Sequence, residues 1–204
     1  MNKNTICFVA GKSGGHIIPC FTITQHYRSK NTHLSVLFFS SNTPLDEKII
    51  AQAPHVSLHV KLPLTTITRT TIFCFFKIIW QIMHSFFLSF FYLCKNRPSC
   101  IITTGGVVAL PVCIAGFILR IPIMLYCLDA VPGKAIKFLT PLAKSIIITF
   151  RNAQKFFPSR KTYYAPYPIR YTYIDQNIPQ CAAARILNLN PQKKTVVILG
   201  GSQG

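Results

Sequence analysis

Residues 5–16 read Thr5-Ile6-Cys7-Phe8-Val9-Ala10-Gly11-Lys12-Ser13-Gly14-Gly15-His16. A compact apolar run ends in a glycine-rich loop, and from His16 to Arg28 the pattern turns helical, with Ile17, Phe21 and Thr24 on one side. Pro19 is expected in the first turn, where its missing N–H costs nothing. The same succession recurs at Cys100–Thr103, which leads into Gly105-Gly106 and a helix over Ala109–Leu119. It recurs again where Thr195–Leu199 leads into Gly200-Gly201-Ser202-Gln203-Gly204. Leu34–Phe39, Val56–Val60, Ile121–Cys127, Ser145–Thr149 and Thr162–Tyr164 read as further strands, with short helices around Leu45–Ala51 and after Val131-Pro132-Gly133. Continuously apolar strands alternating with helices predict an α/β fold, a parallel sheet covered on both faces. Glycine junctions along one edge of such a sheet are where ligands bind.

The chain has 204 residues, 50% of them apolar and only 13% charged, which suffices to bury a core and excludes general disorder. Against 22 Lys and Arg stand four acidic residues, Asp46, Glu47, Asp129 and Asp175, giving a formal charge of +18. This balance points to an anionic partner: a membrane surface, a phosphorylated substrate or nucleic acid. Four carboxylates leave little material for a general acid–base carboxylate pair or a hard-metal cage, and no metal requirement is visible; no cofactor is expected. Nucleic acid is not expected either: no helix-turn-helix, RNA-binding or zinc signature occurs, and the aromatics cluster in apolar runs. The eight cysteines include no CxxC pair and lie mostly in apolar runs, where a thiol packs as a small hydrophobe; a reduced compartment is the default. The apolar run near the N-terminus is too short for a signal sequence.

Ile72–Cys94 carries Lys77 as its only formal charge and is crowded with phenylalanine. As a helix it would reach roughly 35 Å, long enough to span a bilayer. Three readings stand: a span, a helix lying on the membrane surface, or a buried crossover helix. Lys77, Gln81, His84 and the strand that resumes at Cys100 oppose the span, while flanking Arg69, Lys95 and Arg97 favour the surface.

The Gly11–His16 loop is neither a dinucleotide fingerprint nor a Walker A sequence, because Lys12 precedes the second glycine pair instead of following it. A soluble dehydrogenase is disfavoured for the same reason, and no acidic residue marks the end of the second strand. The loop is either a tight structural turn or a place where backbone meets an anion at a helix N-terminus. His16 is the one histidine at such a junction; His26, His33, His55, His59 and His84 read as structural or surface residues. A neutral imidazole there can accept a proton from a hydroxyl, or serve only to cap or pack the helix.

In order along the chain, Gly11–His16 with Ile17-Ile18-Pro19, Thr104-Gly105-Gly106-Val107-Val108 with Pro111, Tyr126–Asp129 with Val131-Pro132-Gly133, Tyr167-Pro168-Ile169-Arg170 and Gly200–Gly204 resemble motifs of the MurG family of peptidoglycan glycosyltransferases. The resemblance implies a Rossmann-like sheet forming the N-terminal half of a two-domain GT-B enzyme. Such enzymes transfer N-acetylglucosamine from UDP-N-acetylglucosamine to the 4-hydroxyl of undecaprenyl-diphosphate-linked N-acetylmuramyl-pentapeptide. It implies a peripheral location at the cytoplasmic face of the inner membrane, on an anionic surface. His16 would be the general base. The acceptor diphosphate would rest on Gly11, Gly14, Gly15, Gly105 and Gly106. Ser13, Gly14, Gly15, Asp129, Arg170 and Ser202 match positions that touch the donor.

The sequence departs from the family pattern at several positions. Lys12 stands where the family has glycine; it would strengthen phosphate attraction, or block the loop if that position needs positive φ. Tyr126, Cys127 and Asp129 replace the histidine, glutamate and asparagine of a His-Glu-Gln-Asn run, and Pro166 and Tyr167 replace a glycine and an asparagine. An ionised Asp129 only accepts hydrogen bonds and repels a diphosphate. By the same resemblance, residues 1–170 form an acceptor-binding domain, 171–194 a connecting segment, and 195–204 the first strand and loop of a donor-binding domain. Such a chain is expected to bind acceptor without transferring sugar alone. The alternatives are a membrane-associated binding subunit that works with a separate donor-domain polypeptide, and a degenerate remnant.

Overall fold

Seven parallel strands, joined by helices, carry the chain from Thr5 to Tyr164. They are β1 (Thr5–Val9), β2 (Ser35–Ser41), β3 (Leu58–Leu62), β4 (Cys100–Thr103), β5 (Ile123–Cys127), β6 (Ser145–Ile148) and β7 (Thr162–Tyr164), ordered β3-β2-β1-β4-β5-β6-β7. The computed structural model describes residues 5–30, 33–53, 55–64, 72–169, 178–190 and 192–196. Phe8 lies opposite Phe38 on one side and Ile102 on the other, so β1 is central. The chain builds outward to β3 and then returns to the other flank of β1. The order of strand addition reverses between β1 and β4, where open α/β sheets leave a crevice at the strand ends.

Helices α1 (Gly14–Lys30) and α2 (Pro44–Ala51) cover one face. Ile17, Cys20, Phe21 and Ile50 pack there on Ile6, Phe8, Val36, Phe38 and Ile102. Helices α3 (Ile72–Asn96), α4 (Ala109–Ile118) and α5 (Lys134–Leu139) cover the other, with Leu93, Val112, Cys113 and Ile136 on Cys7, Ile101 and Leu125. Side chains alternate along each strand, so apolar residues at both parities build two cores, as continuously apolar strands require. A Cβ on Gly116 would stand 2.2 Å from Ile101 Cδ1, so glycine lets α4 lie close to β4. Burial pushes the Cys20 and Cys113 thiols up to about 12, which keeps them neutral and inert in these cores.

The predicted α/β class and strand succession match the structure; several boundaries move. β2 extends to Ser41 because its polar end is satisfied: Ser40 Oγ lies 2.8 Å from His59 Nε2, and Ser41 Oγ bonds Asp46. β3 starts at Leu58 instead of Val56, since the Ser57 hydroxyl accepts the Val36 N–H at 3.0 Å in place of a ladder partner. β5 starts at Ile123 because the close of α4 occupies the preceding residues: Arg120 adopts φ +56°, and Ile121 N–H donates to Gly116 O at 2.9 Å. α1 starts at Gly14, which moves Pro19 out of the expected first turn and deprives Gly15 O of an intrahelical donor.

On α3, Ser85, Ser89 and Leu93 recur every fourth residue and are buried, as on a crossover helix. Phe76, Trp80, Phe87 and Phe91 form an exposed stripe, Trp80 being 73% exposed. Phe76–Asn96 is long and apolar enough to cross a membrane by length and composition.

Residues 1–168 form one unit and 169–204 a second. The second contains α6 (Gln180–Ile186). Within it, Thr195 and Val196 carry no strand assignment, while the rest of the expected strand, the Gly200–Gly204 loop with Ser202, and Arg170 lie outside the described residues.

Candidate functional site

The loop after β1 is fixed from α2. Thr43 caps that helix, accepting the Asp46 N–H at 3.2 Å, and places Asp46 in its first turn, where the helix dipole favours a carboxylate. Asp46 is fully buried. Its two oxygens accept the Lys12 N–H at 2.9 and 3.1 Å, and one also accepts the Ser41 hydroxyl. Gly11 threads this clasp: a Cβ there would stand 2.9 Å from Asp46 Oδ2 and 3.0 Å from Ser41 N. Lys12 adopts φ +69°, so the loop does need a left-handed residue, and lysine fills that role without blocking it.

Ser13 O then accepts the His16 and Ile17 N–H groups at 3.2 and 3.3 Å, starting α1. Gly14, Gly15 and His16 form its first turn, where the Gly14 and Gly15 N–H groups lack intrahelical acceptors. The loop after β4 is tied to the same place. Thr103 Oγ1 donates to Val9 O at 2.9 Å and accepts the Gly105 N–H at 3.1 Å, while Thr104 Oγ1 donates to His16 O at 3.2 Å. Gly105 and Gly106 both adopt positive φ, at 103° and 84°. A Cβ on Gly106 would lie 3.9 Å from Gly11 O, so the two glycine loops meet at the switch point. His16 Nδ1 is buried beside them with no hydrogen-bond partner among the described residues. A buried ring nitrogen without a protein partner is uncommon and calls for an explanation, whether a catalytic role or an ordered water.

Two tyrosines close the arrangement. Tyr126 OH donates to Pro166 O at 3.0 Å, and Tyr167 OH donates to Gly15 O at 3.2 Å. The second bond satisfies the carbonyl that Pro19 leaves without a donor. Burial, then the Asp129 charge and Cys20, hold the Tyr167 phenol above its usual range. Burial and then Tyr167 do the same for Tyr126. Both are neutral donors at physiological pH.

Gly11, Ser13, Gly14, Gly15, His16, Gly105 and Gly106 therefore share one end of the sheet. Asp129 is exposed just beyond β5, near Tyr167. Asp46 and Ser41 were not legible as loop anchors; the available signal was an acidic residue in the first turn after Thr43-Pro44.

The curated relatives include two proteins named UDP-N-acetylglucosamine–N-acetylmuramyl-(pentapeptide) pyrophosphoryl-undecaprenol N-acetylglucosamine transferase. That of Borreliella burgdorferi is 29% identical over all of this chain and 55% of its own length. That of Halalkalibacterium halodurans is 29% identical over 95% of this chain and 52% of its own. The chain thus spans about half the length of the curated relatives it matches. Among solved structures, Acinetobacter baumannii MurG superposes with a TM-score of 0.68 at 17% identity, over 86% of this chain and 49% of that one. The UDP-GlcNAc 2-epimerase of Methanocaldococcus jannaschii gives 0.59 at 12% identity, over 78% of this chain and 45% of that one. These two likenesses concern the fold. Residues 6–148 match the glycosyltransferase family 28 N-terminal domain, and on that match, with the sheet order and paired glycine loops that accompany it, the chain belongs to glycosyltransferase family 28.

Proposed function

We propose that this chain is the acceptor-binding part of an N-acetylglucosaminyltransferase that acts on undecaprenyl-diphosphate-linked N-acetylmuramyl-pentapeptide, with UDP-N-acetylglucosamine as donor. The observation that carries this reading is the meeting of two glycine loops at the β1–β4 switch point, beside a buried His16 Nδ1 that no described residue bonds. Helix-start and positive-φ backbone N–H groups suit a diphosphate. In this reading Gly11, Gly14, Gly15, Gly105 and Gly106 hold the acceptor diphosphate. His16 takes the proton of the 4-hydroxyl as its oxygen attacks the anomeric carbon, and UDP leaves with the electrons of the broken C–O bond. Ser13, Gly14, Gly15 and Asp129 are the described residues assigned to the donor in this reading. As an acceptor-only group, Asp129 suits a sugar hydroxyl better than a phosphate.

The exposed aromatic stripe of α3 and the cations that flank the helix support peripheral attachment to an anionic membrane at its cytoplasmic face. Changing Phe87 and Phe91 to serine is expected to weaken binding to anionic vesicles about tenfold or more, measured by flotation. Unchanged flotation would remove α3 from that role.

A binding module that holds acceptor without transferring sugar uses the same site. Tyr126, Tyr167 and Asp129, which depart from the family motifs, favour it. Supplying a donor-binding half of the family and measuring sugar transfer separates the two. Turnover supports the transferase part; acceptor binding without turnover supports the module.

A further inference from the structure

Residues 165–167 cross the C-terminal edge of the sheet in three steps. The Ala165 N–H donates to Ile148 O, at the end of β6, at 3.0 Å. Pro166 O accepts the hydroxyl of Tyr126, at the end of β5, at 3.0 Å. The Tyr167 hydroxyl then reaches Gly15 O, in the first turn after β1, at 3.2 Å. In the sheet β4 lies between β5 and β1, so this strap bridges the strand whose loop carries Gly105 and Gly106. Its last contact meets a carbonyl that needs it. In a regular helix Gly15 O would accept the N–H of residue 19, and Pro19 has none. The following carbonyl, His16 O, accepts Thr104 Oγ1 from the β4 loop at 3.2 Å. Gly15 O and His16 O belong to the two peptide planes that flank the His16 Cα. Each plane is thus fixed by a side chain from another element.

We propose that Tyr167 is a positioning residue for sugar transfer: its hydroxyl fixes the peptide plane ahead of His16 and so aims the imidazole at the acceptor hydroxyl. The proposal rests on the reading of His16 as the general base. Such a base must come within about 2.6–3.2 Å of the oxygen whose proton it takes. Displacements of about 0.5 Å or rotations of about 10–20° in its support are enough to blunt it. A hydroxyl that holds one peptide plane acts on this scale. Tyr167 itself touches neither the reacting oxygen nor its proton.

The test compares Tyr167→Phe, Pro19→Ala and the double variant. Tyr167→Phe removes the hydroxyl and keeps the ring. Pro19→Ala supplies the missing N–H to Gly15 O from within the helix. With a donor-binding half of the family added, Tyr167→Phe is expected to lower kcat about three- to tenfold, the worth of one hydrogen bond, and to leave the acceptor KM little changed. The double variant is expected to stay within about twofold of Pro19→Ala, because the carbonyl is then bonded without the tyrosine. In the 204-residue protein alone, the His16 ring resonances should shift in Tyr167→Phe and return in the double variant to those of Pro19→Ala. Wild-type kcat in Tyr167→Phe, or unmoved His16 resonances, overturns the role of Tyr167 while the transferase reading stands. A loss on adding Tyr167→Phe to Pro19→Ala as large as in the wild-type background overturns it too, since the hydroxyl would then act elsewhere than on Gly15 O. Absence of turnover by the wild-type protein with the donor-binding half overturns the transferase reading and this role with it.

Discussion

Replacing His16 by alanine is expected to slow sugar transfer by about 10²–10⁴-fold, the contribution of a positioned general base. The assay supplies a donor-binding half and follows N-acetylglucosamine onto the lipid-linked acceptor. The effect should fall on turnover. The contacts that His16 makes within the loop are main-chain ones, its N–H to Ser13 O at 3.2 Å and its carbonyl from Thr104 Oγ1 at 3.2 Å, and alanine keeps both. Alanine also removes a buried nitrogen that has no partner among the described residues, so thermal stability should be unchanged or slightly raised. Unchanged turnover would remove His16 from proton transfer; a large fall in melting temperature would make it a packing residue.

The second large effect is expected in the fold itself. Asp46→Ala leaves the Lys12 N–H and the Ser41 hydroxyl without the acceptor that now serves both. Each unsatisfied buried group costs about 1–3 kcal/mol, so the variant should lose roughly 2–6 kcal/mol. That is a large fraction of an ordinary domain's stability, about 5–15 kcal/mol. Urea denaturation measures it. Asp46→Asn keeps one oxygen for the Lys12 N–H and should lose less. Wild-type stability in Asp46→Ala would show that other groups hold the loop.

The sheet was legible because its inner strands carry apolar residues at both parities, as in Ile6–Val9, Val36–Phe39 and Ile123–Cys127, which two covered faces demand and a half-exposed sheet does not. Both described glycine junctions were legible for a related reason: Gly105 and Gly106 take conformations that other residues take only under strain, and Gly11 has no room for a side chain. What holds the loops in place was not. Asp46 acts across 34 residues of sequence on a backbone N–H, and no local pattern announces such a contact. The link from Tyr167 to Gly15 likewise depends on Pro19 falling in the second turn of α1, and a shift of two residues in the expected helix start concealed it. On α3 the amino-acid pattern left three placements open. Its Ser85–Ser89–Leu93 face packs inward while the Phe87 and Phe91 face stays exposed, a division set by the neighbouring α4 and not by α3 alone.

Acceptor recognition by the β1–β4 edge is tested most directly by vesicle binding of the 204-residue protein. One set of anionic vesicles carries the undecaprenyl-diphosphate-linked muramyl-pentapeptide, and the other is identical but lacks it. Tighter retention on the first set, with the gain abolished by soluble farnesyl diphosphate, is the predicted result. Equal retention on both sets would contradict it and leave the chain a membrane-binding α/β domain without an acceptor site.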